Sequence, residues 1–142
     1  MLDIQAIRRA LADSIRVGIT RTPNVYAYLP DSPVLPCIAI TADEPFVSYA
    51  QTMGAAGECD LRVLVRICTA SRAEDSLIFL DDMLSVGSAS TSSVVDAILA
   101  DRTLDGIVEM CLPGAARIVA DGEQNAGQFE AVIPVEIWAK AD

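Results

Sequence analysis

The sequence predicts an α+β domain: a mostly antiparallel sheet with helices packed on one face, in the order α-β-β-β-α-α-β-β. Three observations lead there. Ile4, Ile7, Leu11 and Ile15 recur at helical spacing at the start of the chain. Leu61, Val63, Val65 and Ile67 alternate with Arg62 and Arg66, which gives a strand one apolar and one polar face. Two short helical segments with N-terminal capping signals then separate the early strands from the last ones.

The first helix is expected over roughly residues 3–17. Asp3 is placed to cap it. Arg8, Arg9, Asp13 and Arg16 fall off its apolar stripe, and Gly18 followed by Thr22-Pro23-Asn24 closes it. Val25 to Tyr28 reads as a short strand, and Pro30-Asp31-Ser32-Pro33 as turn chemistry. Cys37 to Thr41 is almost continuously apolar, as in a covered central strand. Residues 44–58 then lose any period. Pro45, Gly54 and Gly57 break it, while Phe46, Val47, Tyr49 and Met53 are apolar without a face. This segment is expected to be a flexible arm or long hairpin, able to order on a partner.

Ser71-Arg72-Ala73-Glu74 has the form of a capping box, with a helix to about Leu84. Its stripe is expected through Ala73, Leu77, Leu80 and Leu84. That leaves Ile78 and Phe79 off the core and available for protein contact. The serine-rich link 85–92 leads to a second box, Ser93-x-x-Asp96, and a short helix ending near Asp101. Leu104-Asp105-Gly106 is a turn. Segments 107–112 and 116–120 can be strand around Pro113-Gly114, and the last strand runs from Phe129 to Ala139. Pro134 lacks an N–H, so it predicts an edge or a bulge there.

At 142 residues the chain is one domain, 1–142, large enough to bury roughly 70% of its unfolded surface. Its hydrophobic fraction of 52% with only 5% aromatics implies an aliphatic core and a surplus of apolar surface suited to subunit contact. The net charge of −10 argues against a surface built to grip nucleic-acid phosphates. No C-x-x-C pair and no histidine occur, so a zinc site is not expected. Cys37, Cys59, Cys68 and Cys111 are expected as buried free thiols. No run approaches the roughly 18 apolar residues of a membrane span, and a soluble protein is expected.

Catalytic chemistry finds little support. Enzymes commonly use a base, a nucleophile or a metal. Asp43-Glu44, Glu74-Asp75 and Asp81-Asp82 are adjacent acids, and neighbours on a helix do not face each other. Gly54-x-x-Gly57 lacks the strand, helix and lysine of a phosphate loop. The expectation is therefore a protein that is not an enzyme and carries no cofactor and no metal.

Several pieces in order resemble one family. They are Ile4-x-x-Ile7-x-x-Ala10-Leu11, then Val25-Tyr26-x-Tyr28-x-Pro30-Asp31-Ser32-Pro33-x-x-Pro36-Cys37, and Leu80-Asp81-x-Met83-Leu84. Ser93-Val94-x-x-Ala97-x-Leu99-x-Asp101-x-Thr103-Leu104-x-Gly106 follows, and Val135-Glu136-Ile137-Trp138-Ala139 ends the set. Together they resemble the tail terminator proteins of long-tailed bacteriophages, of the actinobacterial phage type. The resemblance implies a structural virion protein at the head-proximal end of the tail, assembled in the bacterial host cytoplasm. It would form a ring, usually hexameric, that caps the tail tube, ends tail elongation and offers the head–tail joining surface. Its implied partners are further copies of itself, the tail tube protein and the head–tail connector protein. DNA would pass through without specific binding. No membrane is involved.

On that reading Ile78, Phe79, Phe46, Val47, Tyr49 and Met53 are candidate subunit or partner contacts. Asp43, Glu44 and Glu58, at the roots of the arm, are candidate lumen acids, because a conduit wall that repels phosphate does not retard DNA. The alternatives are another neck component, such as a connector stopper or adaptor, and, in a different class, a small enzyme or ligand-binding domain using buried carboxylates.

Overall fold

A computed structural model describes residues 3–19, 24–48, 58–70, 73–87, 93–119 and 128–140. It contains helices α1 (Ile4–Gly18), α2 (Glu74–Leu84) and α3 (Val94–Ala100). The strands are β1 (Asn24–Tyr26), β2 (Cys37–Ser48), β3 (Glu58–Cys68), β4 (Met110–Pro113), β5 (Arg117–Val119) and β6 (Glu130–Lys140). The six strands form one sheet in the order β1-β2-β3-β6-β4, with β5 also on β6. Only the β1–β2 pair is parallel. The fold is α+β in the order expected from the sequence.

The segments around Pro113-Gly114 are two halves of one interrupted edge. β4 lies opposite residues 135–138 of β6, and β5 opposite 130–132, with a one-residue slip between them. Pro134 faces that slip. Its carbonyl accepts a hydrogen bond from the Gly114 N–H, so the N–H that proline lacks would point to the same irregular side. The bulge reading of Pro134 holds; the edge reading does not, because β6 lies between β3 and β4.

In α1 the Asp3 side chain accepts from the Ala6 N–H, and Ile7, Leu11, Ala12 and Ile15 are buried. Arg8, off the apolar stripe, is nonetheless engaged by the sheet side of the fold. Its Nη1 donates to the carbonyls of Ile40 at 3.0 Å and Ala27 at 3.3 Å. The same guanidinium lies over the rings of Tyr28 and Phe46, 4.7 and 5.4 Å from their centroids. The side chain thus clamps the helix to β2 and to the residues just after β1, with donors that match those carbonyls and a cation–π contact.

β2 runs well past Thr41, where the sequence suggests an end. Ala42 pairs with Val63 and Val47 with Leu61, so residues 43–46 bulge opposite Arg62 alone. The first five residues of the predicted arm therefore belong to a strand. Pairing with β3 outweighs the breaker signal of Pro45, because the bulge absorbs the proline. Residues 49–57, with Tyr49 and Met53, lie outside the described residues.

α2 also differs. It begins at Glu74 with Ala73 as its N-cap and no side-chain capping bond; Ser71 lies outside the described residues. Its buried residues are Ser76, Leu80 and Met83, not Ala73 and Leu77. Phe79 packs partly buried against the core, which corrects its assignment to the opposite face. The stripe is rotated because Phe79 and Met83 offer more apolar area than Ala73 and Leu77. α3 follows expectation: Ser93 accepts from the Asp96 N–H. The Asp96 carboxylate, however, binds the Gly87 N–H instead of closing the box. Leu104, Asp105 and Gly106 take the left-handed turn with φ of 49°, 58° and 87°.

The three helices cover one sheet face. Ile38, Ile40, Leu61, Val63, Val65, Ile67, Ile133, Val135 and Ile137 supply the sheet side of the core, against residues such as Leu11, Leu80 and Ile98.

Candidate functional site

The other sheet face carries the polar side chains, and strand register decides which ones meet. Cys37, Cys68, Glu130 and Val119 share one row; Ala39, Arg66, Val132 and Arg117 the next. Thr41, Leu64 and Pro134 follow. Arg62, Glu136 and Leu112 come after them, and Ser48, Asp60, Trp138 and Met110 form the last row.

The first half of this face is closed. Arg66 and Glu130 are 6% and 0% exposed and form an ion pair at 2.8 Å. Arg66 Nε also donates to Thr41 Oγ1 at 3.0 Å. Glu130 Oε2 accepts no hydrogen bond. Under this pair Cys37 and Cys68 stand directly opposite each other. Their mutual hydrogen bond, then burial, push the Cys68 thiol far up. Burial, and next the charge of Asp101, push Cys111 up to about 11. Cys68 and Cys111 are thereby kept protonated, whereas the Cys37–Cys68 hydrogen bond pulls Cys37 down, and burial is what keeps that thiol out of reach of a bulky reagent. All four cysteines are free and buried, as the sequence predicts. The native protein is expected to leave them unreacted with a bulky aromatic disulfide at pH 8, and unfolding to release all four. Rapid reaction of even one in the folded protein counts against this packing.

The second half is open. Asp43, Arg62, Leu112, Gly114, Pro134, Glu136 and Trp138 line a shallow groove of about 390 Å³. A smaller hollow of about 100 Å³ adjoins it between Pro45, Ser48, Asp60 and Arg62. Asp60 is only 7% exposed. Its Oδ2 lies 3.6 Å from Arg62 Nε, and its Oδ1 is buried without a hydrogen-bond partner. The acids Asp43, Asp60 and Glu136 outnumber Arg62 here, and the indole of Trp138 supplies a flat apolar wall. This arrangement is suited to receiving a cationic side chain. A second groove, about 590 Å³, lies between α1 and α3, with Val17 88% and Ile107 47% exposed beside it.

The sequence-derived candidates scatter. Ile78 is half exposed on α2, while Phe79 packs inward. Phe46 and Val47 pack partly buried against the core, with Phe46 under Arg8. Asp43 enters the groove; Glu44 is exposed in the bulge, its N–H donating to Asp43 Oδ1. Glu58 opens β3, and its side chain lies outside the description. Asp60, Arg66, Glu130, Glu136 and Trp138 were not legible as a group. Alternation alone places Asp60, Arg62 and Arg66 on one face of β3, yet their partners on β6 follow only from register.

Among the described residues no group of three or more metal-ligating side chains forms, and no helix is long and apolar enough to cross a membrane. No protein-family profile matches the chain, and no curated protein matches it either.

Proposed function

We propose that this protein is a structural virion component that assembles into a ring on the end of a phage tail tube. There it ends tail elongation and presents the surface to which the head connector joins. The reading starts from the ordered sequence pieces that resemble tail terminators, and the α+β fold is compatible with it. The observation that carries it furthest is the sheet's open outer half: a broad, acid-rich groove shaped to meet a macromolecule rather than to enclose a small substrate. Half-exposed Ile78, Ile107 and Ile118 add apolar surface for further contacts.

On this reading the ring is most simply a hexamer of heterologous contacts, which close when the rotation between neighbours closes. Of the three lumen candidates, Asp43 lies in the groove and would serve a contact there, whereas Glu44 and Glu58 would face the channel and repel passing DNA, an effect screened beyond roughly 8 Å at physiological salt. The protein would act by assembly, without catalysis or a cofactor.

Negative-stain imaging of the purified protein with isolated tail tubes tests the proposal. Rings at one end of each tube, and tubes of uniform length when the protein is added during polymerisation, are expected. Unmodified tube ends and unchanged lengths would overturn it. Binding to the head connector with no affinity for tubes would instead favour a stopper or adaptor.

A further inference from the structure

Asp60 is the least satisfied charged group at an open part of the surface. A buried carboxylate ordinarily has its acceptor positions filled, and an orphaned one is costly. Asp60 Oδ1 has no partner, although Ser48 stands directly opposite in register and Arg62 reaches only Oδ2. The hollow it lines opens beside the groove carrying Asp43, Glu136 and Trp138. A guanidinium would fit this chemistry: its fork donates to carboxylates and its plane stacks on an indole.

The chain itself carries such groups away from the groove. Arg9 lies two residues from Ile7 and Leu11 on α1, so it stands nearly opposite the buried stripe and points away from the sheet. Arg102 follows α3 and its C-cap, and its carbonyl accepts a hydrogen bond from the Cys111 N–H of β4. Both are exposed, and neither makes a side-chain hydrogen bond or ion pair among the described residues.

We propose that the Asp60 hollow and the Trp138 groove form a docking site for a second copy of this chain, which inserts an exposed arginine, Arg9 or Arg102. Acceptor and donor belong to different surface patches of the chain, so the contact is not self-complementary. Such a contact is heterologous: it leaves a free donor and a free acceptor at the ends and grows beyond a dimer until it closes. The proposal rests on the ring reading and adds its interface chemistry.

Trp138 is the chain's single tryptophan, so its fluorescence reports on this groove alone. Sedimentation and fluorescence are measured together across a concentration series. Wild-type protein is expected to associate beyond a dimer, with Trp138 emission moving to shorter wavelength as water leaves the indole. Asp60→Asn, which keeps the side-chain shape, is expected to need about tenfold more protein or higher to associate, as is the double variant Arg9→Gln/Arg102→Gln. Both variants should melt no earlier than wild type, since one relieves a buried charge and the other changes exposed residues. Mixed together, the two variants retain one good contact per pair and should stop at dimers.

Association that is equal in Asp60→Asn and wild type, or that leaves Trp138 emission unchanged, overturns the docking site. Association that survives the arginine double variant overturns the arginine assignment. Wild-type protein that stays monomeric at every soluble concentration overturns the second copy as occupant; if tail tube protein then shifts Trp138 emission, that protein is the occupant. The capping reading is judged separately, on whether the protein binds tube ends.

Discussion

Replacing Arg66 by methionine is expected to destabilise the fold by about 3–5 kcal/mol, the largest effect of any single change considered. Arg66 and Glu130 lie 64 positions apart in sequence and meet at 2.8 Å, Glu130 fully buried and Arg66 nearly so. Removing the guanidinium strips Glu130 of its ion-pair partner, and among the described residues Oε2 has no hydrogen bond to fall back on. A lone buried carboxylate must then be desolvated without compensation or take up a proton. Against a total stability of roughly 5–15 kcal/mol, that loss is a third or more.

The pair itself is a weaker contributor than its breakage suggests. Its Coulomb attraction mostly offsets the cost of removing two charges from water. The double variant Arg66→Met/Glu130→Leu should therefore recover most of the loss. Urea unfolding followed by Trp138 fluorescence compares the three proteins. A single Arg66→Met variant within about 1 kcal/mol of wild type would mean that the pair is not buried as described.

Gly18→Ala is expected to destabilise by about 1–3 kcal/mol, against the usual benefit of alanine in a helix. A Cβ built on Gly18 would lie 2.5 Å from the Ala97 Cβ and 3.1 Å from the Ala97 Cα. Both helices must shift to accept the methyl, because interiors are packed to crystal density and yield little. α1 and α3 share Leu11, Ile15, Val94 and Ile98 with the core, so their separation disturbs contacts beyond the pair. The second change Ala97→Gly removes the opposing methyl, and the double variant should regain part of the loss. Thermal melts of the two proteins check this. A Gly18→Ala protein as stable as wild type would show that the helices do not approach this closely.

Local signals carried much of the architecture. The α1 stripe and its Asp3 cap depend on residues within one or two turns, so they are readable without knowing what the helix packs against. The alternation in β3 is similarly local, and so is the Leu104-Asp105-Gly106 turn. The α2 face was not. Two stripes can be drawn through Ala73 to Leu84, and only packing against the sheet selects Ser76, Leu80 and Met83, with Phe79 beside them. The extension of β2 to Ser48 was hidden for a related reason: Pro45 reads as a breaker until β3 is present to pair across a bulge.

For the candidate site, composition and alternation placed Arg62 and Arg66 on a polar strand face and set the acidic balance that any partner would meet. What lies beside each of them was decided by tertiary structure alone. Register across β3 and β6 sets Arg66 near Glu130 and Asp60 beside Trp138. A one-residue slip would send these side chains to the opposite face. Burial then gives the two carboxylates different roles. Glu130 is closed in against Arg66, whereas Asp60 lines an open hollow with one oxygen unpartnered. Sequence thus determined which residues are strand, helix and turn wherever neighbours within a few positions set the energy. Contacts between strands distant in sequence decided which charges are paired, which are covered and which remain for a partner.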